Sequence, residues 1–144
     1  MPASKPAQQE EIVMSFTLSP FHRQILFIDA AVSGAAGLLM VAGAPFLSPL
    51  LGLPENLIFW AGLALFPFVA FLVAVARRGE ASRLVLIDII AINALWVAAS
   101  FGLLASGAVA PTLLGYAFVV AQALAVALLA GLQLVGLRRT TANA

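Results

Sequence analysis

Four long apolar runs, at 24–45, 56–76, 84–106 and 113–136, divide a chain whose charged residues lie almost entirely between and outside them. Each run is at least about 20 residues long, and at about 1.5 Å per helical residue that length crosses a hydrocarbon core of roughly 30 Å. Each is therefore predicted to be a transmembrane helix. Local chemistry marks the boundaries. Pro45 ends the first run, and Pro49 and Pro54 keep its connection from continuing as helix. Arg77-Arg78-Gly79-Glu80 closes the second run, Ser106-Gly107 the third, and Arg138-Arg139 the fourth, which Pro111 opens.

The flanks are polar. Residues 1–22 lack a periodic apolar face and are expected to form a mobile tail or a short interfacial segment, with Met14 as an alternative start. Residues 23–139 form the transmembrane domain, and 140–144 a second tail. Ala42-Gly43-Ala44 resembles a signal cleavage site. The run before it exceeds the 7–15 residues of a signal core, however, and Pro45 would follow the cut, so retention is the preferred reading.

Composition agrees with a lipid environment. The 144 residues are 63% hydrophobic and 9% charged, against about 45–50% and about 25% in a soluble domain. A soluble fold this small could not bury so much apolar surface. The fold class that follows is all-α: a polytopic membrane protein of four helices.

The net charge of +1 matters less than its distribution. Lys5 and Arg23 precede the first helix, Arg77, Arg78 and Arg83 separate the second from the third, and Arg138 and Arg139 follow the fourth. The other two connections carry no Lys or Arg. The positive-inside rule then places both termini in the cytoplasm. Trp60 and Tyr116 fall near the opposite ends of their helices, where an outer aromatic belt belongs. Arginine exceeds lysine six to one and alanine, leucine, valine and glycine dominate, as a GC-rich bacterial genome would encode, so the expected location is a bacterial inner membrane. A faint 2+2 hairpin repeat pairs Gln24-Ile-Leu-Phe-Ile-Asp29 with Arg83-Leu-Val-Leu-Ile-Asp88. The plainer reading, the ordinary look of a helix start, is slightly preferred.

Polar residues inside the runs are the candidate functional positions: Asp29, Ser33, Asp88, Asn93, Gln122 and Gln133. Intramembrane acids are functional candidates because a carboxylate in hydrocarbon is costly. Asp29 and Asp88 lie only one to one and a half turns from the basic end of the runs, so an interfacial salt bridge or cap with a nearby arginine is expected first, and ion coupling second. Ser33, Asn93, Gln122 and the carbonyl freed by Pro67 share the midplane and suggest an interhelical hydrogen-bond cluster separate from the aspartates. Gln122 and Gln133, eleven residues apart, share a helix face; Asp88 and Asn93 do not.

Small residues are expected to supply the packing: Ala30, Ser33, Gly34 and Gly37 in the first helix, Ala91, Ala94, Ala98 and Ala99 in the third, and Ala121, Ala123, Ala125 and Ala127 in the fourth. The bulky second helix, with Phe59, Trp60, Phe66, Phe68 and Phe71, is expected to face lipid or a partner.

No motif for catalysis, cofactors, metals or nucleic acid stands out. Cysteine is absent, which removes disulfides and thiolate chemistry. The single histidine, His22, is expected to be a solvated interfacial side chain outside the runs, so no Ser-His-acid set can form within them. No enzyme activity and no cofactor are expected, and the seven basic residues read as topology signals rather than a nucleic-acid footprint.

Asp29-Ala-Ala-Val-Ser-Gly-Ala-Ala-Gly-Leu-Leu-Met, Leu50-Leu-Gly-Leu-Pro54, Asn93-Ala-Leu-Trp-Val-Ala-Ala-Ser100 and Leu132-Gln-Leu-Val-Gly-Leu-Arg-Arg139 resemble segments of small, uncharacterised four-helix inner-membrane proteins of proteobacteria. That resemblance implies a fold and a location but no activity. Small multidrug transporters also have four helices and an acid in the first, but they typically hold it deep and carry a weak charge bias, so they fit poorly. The expected role is a non-catalytic accessory or scaffold subunit in the lipid bilayer, partnered by itself or by other membrane subunits. The alternative is a small ion-coupled transporter or channel using Asp29 or Asp88.

Overall fold

The computed structural model describes the backbone of residues 15–142 and the side chains of 16–139; Lys5 and Met14 lie outside the described residues. In chain order the elements are β1 (Ser15–Thr17), α1 (Pro20–Leu51), α2 (Glu55–Arg78), β2 (Glu80–Ser82), α3 (Arg83–Ser106) and α4 (Leu113–Ala142). All four helices are long and apolar enough to span a membrane, and the protein is a multi-pass membrane protein of the all-α class.

α1 starts where Ser19, in extended conformation, accepts a hydrogen bond from the His22 amide at 3.0 Å, with Pro20 in the first turn. Pro45 and Pro49 do not end it. Both lie on the exposed side, while Ala44, Leu47 and Leu51 between and beyond them are buried, so packing holds the backbone helical despite two missing amide donors. The helix stops at Gly52, whose φ of 68° is left-handed and whose N–H reaches the Ser48 carbonyl at 2.9 Å. The first connection is thus residues 52–54 rather than the longer loop expected from the prolines. At about 1.5 Å per residue, the 32 residues of α1 are about 48 Å long, well beyond the hydrocarbon thickness.

α1 packs closely against both α2 and α4, and α3 against α4, whereas the α2 and α3 backbones stay apart and only their side chains, Leu72 and Leu86 among them, share a buried cluster. The α1–α2 crossing is close because it is built on glycine. A Cβ on Gly62 would stand 2.6 Å from Met40 Cβ, and one on Gly37 would stand 3.1 Å from the Gly62 carbonyl oxygen. Small residues act as expected here but not throughout. Ala91, Ala94, Ala98 and Ala99 of α3 are all exposed, and of the four alternating alanines in α4 only Ala123 is buried. α3 has too few neighbours to cover that stripe. The aromatic second helix also divides: Trp60 and Phe71 are exposed, while Phe59 and Phe68 lie against buried clusters and Phe66 approaches Gly37.

One correction concerns the amino-terminal segment. From Ser15 it is ordered into a ribbon, β1 pairing antiparallel with β2 through Phe16 opposite Ala81. Leu18 donates its amide to the Gly79 carbonyl at 2.9 Å and buries its side chain with Leu26, Leu72, Leu86 and Leu137. Arg23 Nε donates to the Ala76 carbonyl at 2.7 Å, and the Arg139 guanidinium lies 5.2 Å from the centre of the Phe21 ring. These contacts gather Arg23, Arg139 and the α2–α3 connection, with its Arg77, Arg78 and Arg83, at one end of the bundle. At the other end, Thr112 donates its amide to the Leu51 carbonyl and its hydroxyl to that of Leu50, locking α4 to the end of α1.

Candidate functional site

Starting α1 at Pro20 changes the depth of Asp29. The residue lies about two and a half turns into the helix, and its side chain is fully buried. Ser33, one turn later, donates its hydroxyl to Asp29 Oδ1 at 3.1 Å. Asn93 of α3 donates Nδ2 to Oδ2 at 2.8 Å, and Gln133 of α4 donates Nε2 to the same oxygen at 2.6 Å. Asn93 Nδ2 also reaches Gln133 Oε1 at 3.1 Å, so the two amides bind each other as well as the acid. All four side chains are buried.

The expected division into shallow aspartates and a separate amide set therefore fails for Asp29. Its partners are neutral amides and a hydroxyl, and no arginine takes part. Three elements converge because Asp29, Asn93 and Gln133 each occupy the buried stripe of their helix at the same level. Such an arrangement can hold a carboxyl group with its acceptors engaged. The set holds no second ionisable group with which to exchange a proton.

A second polar set lies farther along the bundle. Trp96 Nε1 donates to Gln122 Oε1 at 2.6 Å, and Gln122 Nε2 donates to Ser100 Oγ and to the Val119 carbonyl, each at 3.0 Å. Ser100 in turn donates to the Trp96 carbonyl at 2.7 Å. Gln122 and Gln133 share the inward face of α4 but serve different sets, separated by about 16 Å along the helix axis. Pro67 belongs to neither, because it sits on the exposed side of α2. In the sequence alone Trp96 does not stand out, because an indole among apolar residues reads as membrane filler. Its spacing, three residues after Asn93 and four before Ser100, was the available signal.

Asp88 stays apart, as the helical geometry requires. It is exposed beside Phe71, Ile92 and Leu95, and among the described residues it makes no hydrogen bond or ion pair. Asp29 and Asp88 thus occupy unlike surroundings although their local sequences are similar. His22 departs from its expected solvated state: it is only 1% exposed, and its ring packs where Gly136 leaves room, since a Cβ there would lie 2.7 Å from Nδ1.

Beyond Asn93 no residue of α3 is buried, and the bundle opens around a cavity of about 370 Å³. All four helices contribute to its wall, through residues such as Val32, Met40, Ala61, Ala99 and Val126. Val32 is 43% exposed although it belongs to the central helix, because it faces this opening. Ser33, Ser100 and Gln122 are the polar contributors, together with the indole of Trp96. Asp29 does not line the cavity.

Among the described residues no group of three or more His, Cys, Asp or Glu side chains converges as a metal site would require. Comparison with known proteins finds no family model, curated protein or solved structure that matches the chain.

Proposed function

We propose that the protein is a non-catalytic scaffold or accessory subunit of a bacterial inner membrane. In this proposal both termini face the cytoplasm, and the subunit associates with itself or with a larger membrane complex. The observation that carries the reading is the Asp29 knot: a fully buried acid whose oxygens are taken by neutral donors from α1, α3 and α4. An acid held in this way ties helices together, whereas a coupling acid needs a route by which its ion arrives. Large exposed side chains, among them Phe46, Leu95 and Leu128, give the outer surface the apolar character that lipid or neighbouring subunits require. The collection of arginines at one end supports the orientation.

The competing reading, an ion-coupled transporter or channel using Asp29 or Asp88, draws on the same burial of Asp29. Native purification in mild detergent separates the two. A defined oligomer or a reproducible membrane-protein partner is expected. A strictly monomeric particle whose ion flux in proteoliposomes disappears with Asp29→Asn would overturn the scaffold reading.

A further inference from the structure

The cavity between the four helices has one polar patch in its wall, and the side-chain donors of that patch are all spent within the protein. Gln122 uses its carbonyl oxygen on Trp96 and its amide on Ser100 and Val119. Trp96 spends its only donor on Gln122, Ser100 donates to the Trp96 carbonyl, and Ser33 donates to Asp29. The wall therefore presents no free donor to the lumen. A polar solute that must accept a hydrogen bond finds no partner there; only spare lone pairs on Ser33, Ser100 and Gln122 remain, on a wall that is otherwise apolar. The volume of about 370 Å³ falls in the range of small-molecule sites, about 300–1,000 Å³. α2 and α3 both line the cavity yet their backbones stay apart, which makes the gap between them the candidate lateral route from the hydrocarbon.

We infer that this cavity is a binding site for one acyl chain of a bilayer phospholipid, which enters sideways between α2 and α3 and lies against Val32, Ala61, Ala99 and the Trp96 indole. An empty apolar space of this size forfeits dispersion contacts along its whole lining, and the surrounding solvent is itself made of acyl chains. The inference goes beyond the scaffold proposal and stands or falls separately from it.

Trp96 at the wall provides the readout. With Trp60→Phe it becomes the sole tryptophan, and a phosphatidylcholine dibrominated at mid-chain quenches any indole it touches. The full chain in detergent micelles, titrated with that lipid, is expected to show a saturable quenching phase of one site per protein molecule. Ala61→Phe and Ala99→Phe, each placed in the same background and checked for helix content by circular dichroism, should remove the saturable phase by filling the space. Unlabelled phosphatidylcholine should relieve the quenching by competition. Quenching that rises linearly without saturation, or a saturable phase unchanged in both filled variants, would overturn the assignment. So would relief by an isoprenoid quinone at lower concentration than by phosphatidylcholine. Quenching that vanishes as protein concentration rises would overturn it in favour of a second copy of the chain as occupant.

Discussion

Truncating Asp29 tests whether the buried acid is a structural knot. In Asp29→Ala, the bonds from Ser33, Asn93 and Gln133 disappear together. Interhelical hydrogen bonds in membranes average about 0.6 kcal/mol, and with a similar amount for the Ser33 bond within α1 the three sum to about 2 kcal/mol. Gln133 Nε2 also loses its acid partner inside the bundle, and an unpaired buried donor costs about 1–3 kcal/mol more. Asn93 is spared the same fate by its bond to Gln133 Oε1. The expected loss is therefore about 3–5 kcal/mol. Asp29→Asn behaves differently. An amide oriented with its oxygen towards Asn93 and Gln133 keeps both bonds, and its NH2 then faces Ser33, whose hydroxyl can turn to accept. That variant should lie within about 1 kcal/mol of the parent. The assay is unfolding by sodium dodecyl sulfate in mixed micelles, followed by far-ultraviolet circular dichroism and tryptophan fluorescence. An Asn variant as unstable as the Ala variant would refute the hydrogen-bond account, because the amide can keep the bonds from Asn93 and Gln133. An Ala variant as stable as the parent would refute the knot altogether.

The helix crossing gives a paired prediction in the same assay. Gly62→Ala forces a Cβ to within 2.6 Å of Met40 Cβ and should destabilise, while Gly34→Ala meets Val69 only at 3.8 Å and should gain up to about 1 kcal/mol from helix propensity. Trp96→Phe removes the 2.6 Å bond to Gln122 and should cost about 1 kcal/mol, with a larger cost indicating that the Gln122–Ser100 set collapses with it. For orientation, the absence of native cysteine makes single-cysteine labelling clean: with a cytoplasmic amino and carboxy terminus, a cysteine at Val109 should react with an impermeant maleimide from outside intact cells and one at Ala144 should not. The reverse pattern would invert the proposed topology.

The four spans were legible because lipid imposes a simple rule on length and polarity, and α3 begins and ends within a residue of its apolar run. The errors have particular causes. Pro45 and Pro49 look like terminators, but a proline on an exposed helix face loses one bond and little packing, and buried Leu47 and Leu51 outweigh it. The ribbon of β1 and β2 does not show in the sequence because three-residue strands carry no periodic signal, and their pairing joins residues more than 60 positions apart. The depth of Asp29 does not show in the apolar run because the start of α1 depends on Ser19 and Pro20, which precede that run. Which residues meet across helices depends on helix order, and local sequence does not encode it. Helical phase correctly separated Asp88 from Asn93, yet it could not reveal that Asp29 faces Asn93 and Gln133.

The partners of Asp29 also set an order of assembly. Asn93 lies 64 positions later in the chain and Gln133 lies 104 positions later. At ribosomal speeds of about 5–20 residues per second, the acid waits roughly 5–20 s between its own synthesis and that of its last partner. During that interval only Ser33, one turn away, is at hand. The first hairpin can close at its glycine crossing without the acid, but the second hairpin must dock before the acid is satisfied. Asp29 therefore makes the first half of the protein an incomplete product, one whose place in the bilayer is secured only when the second half arrives.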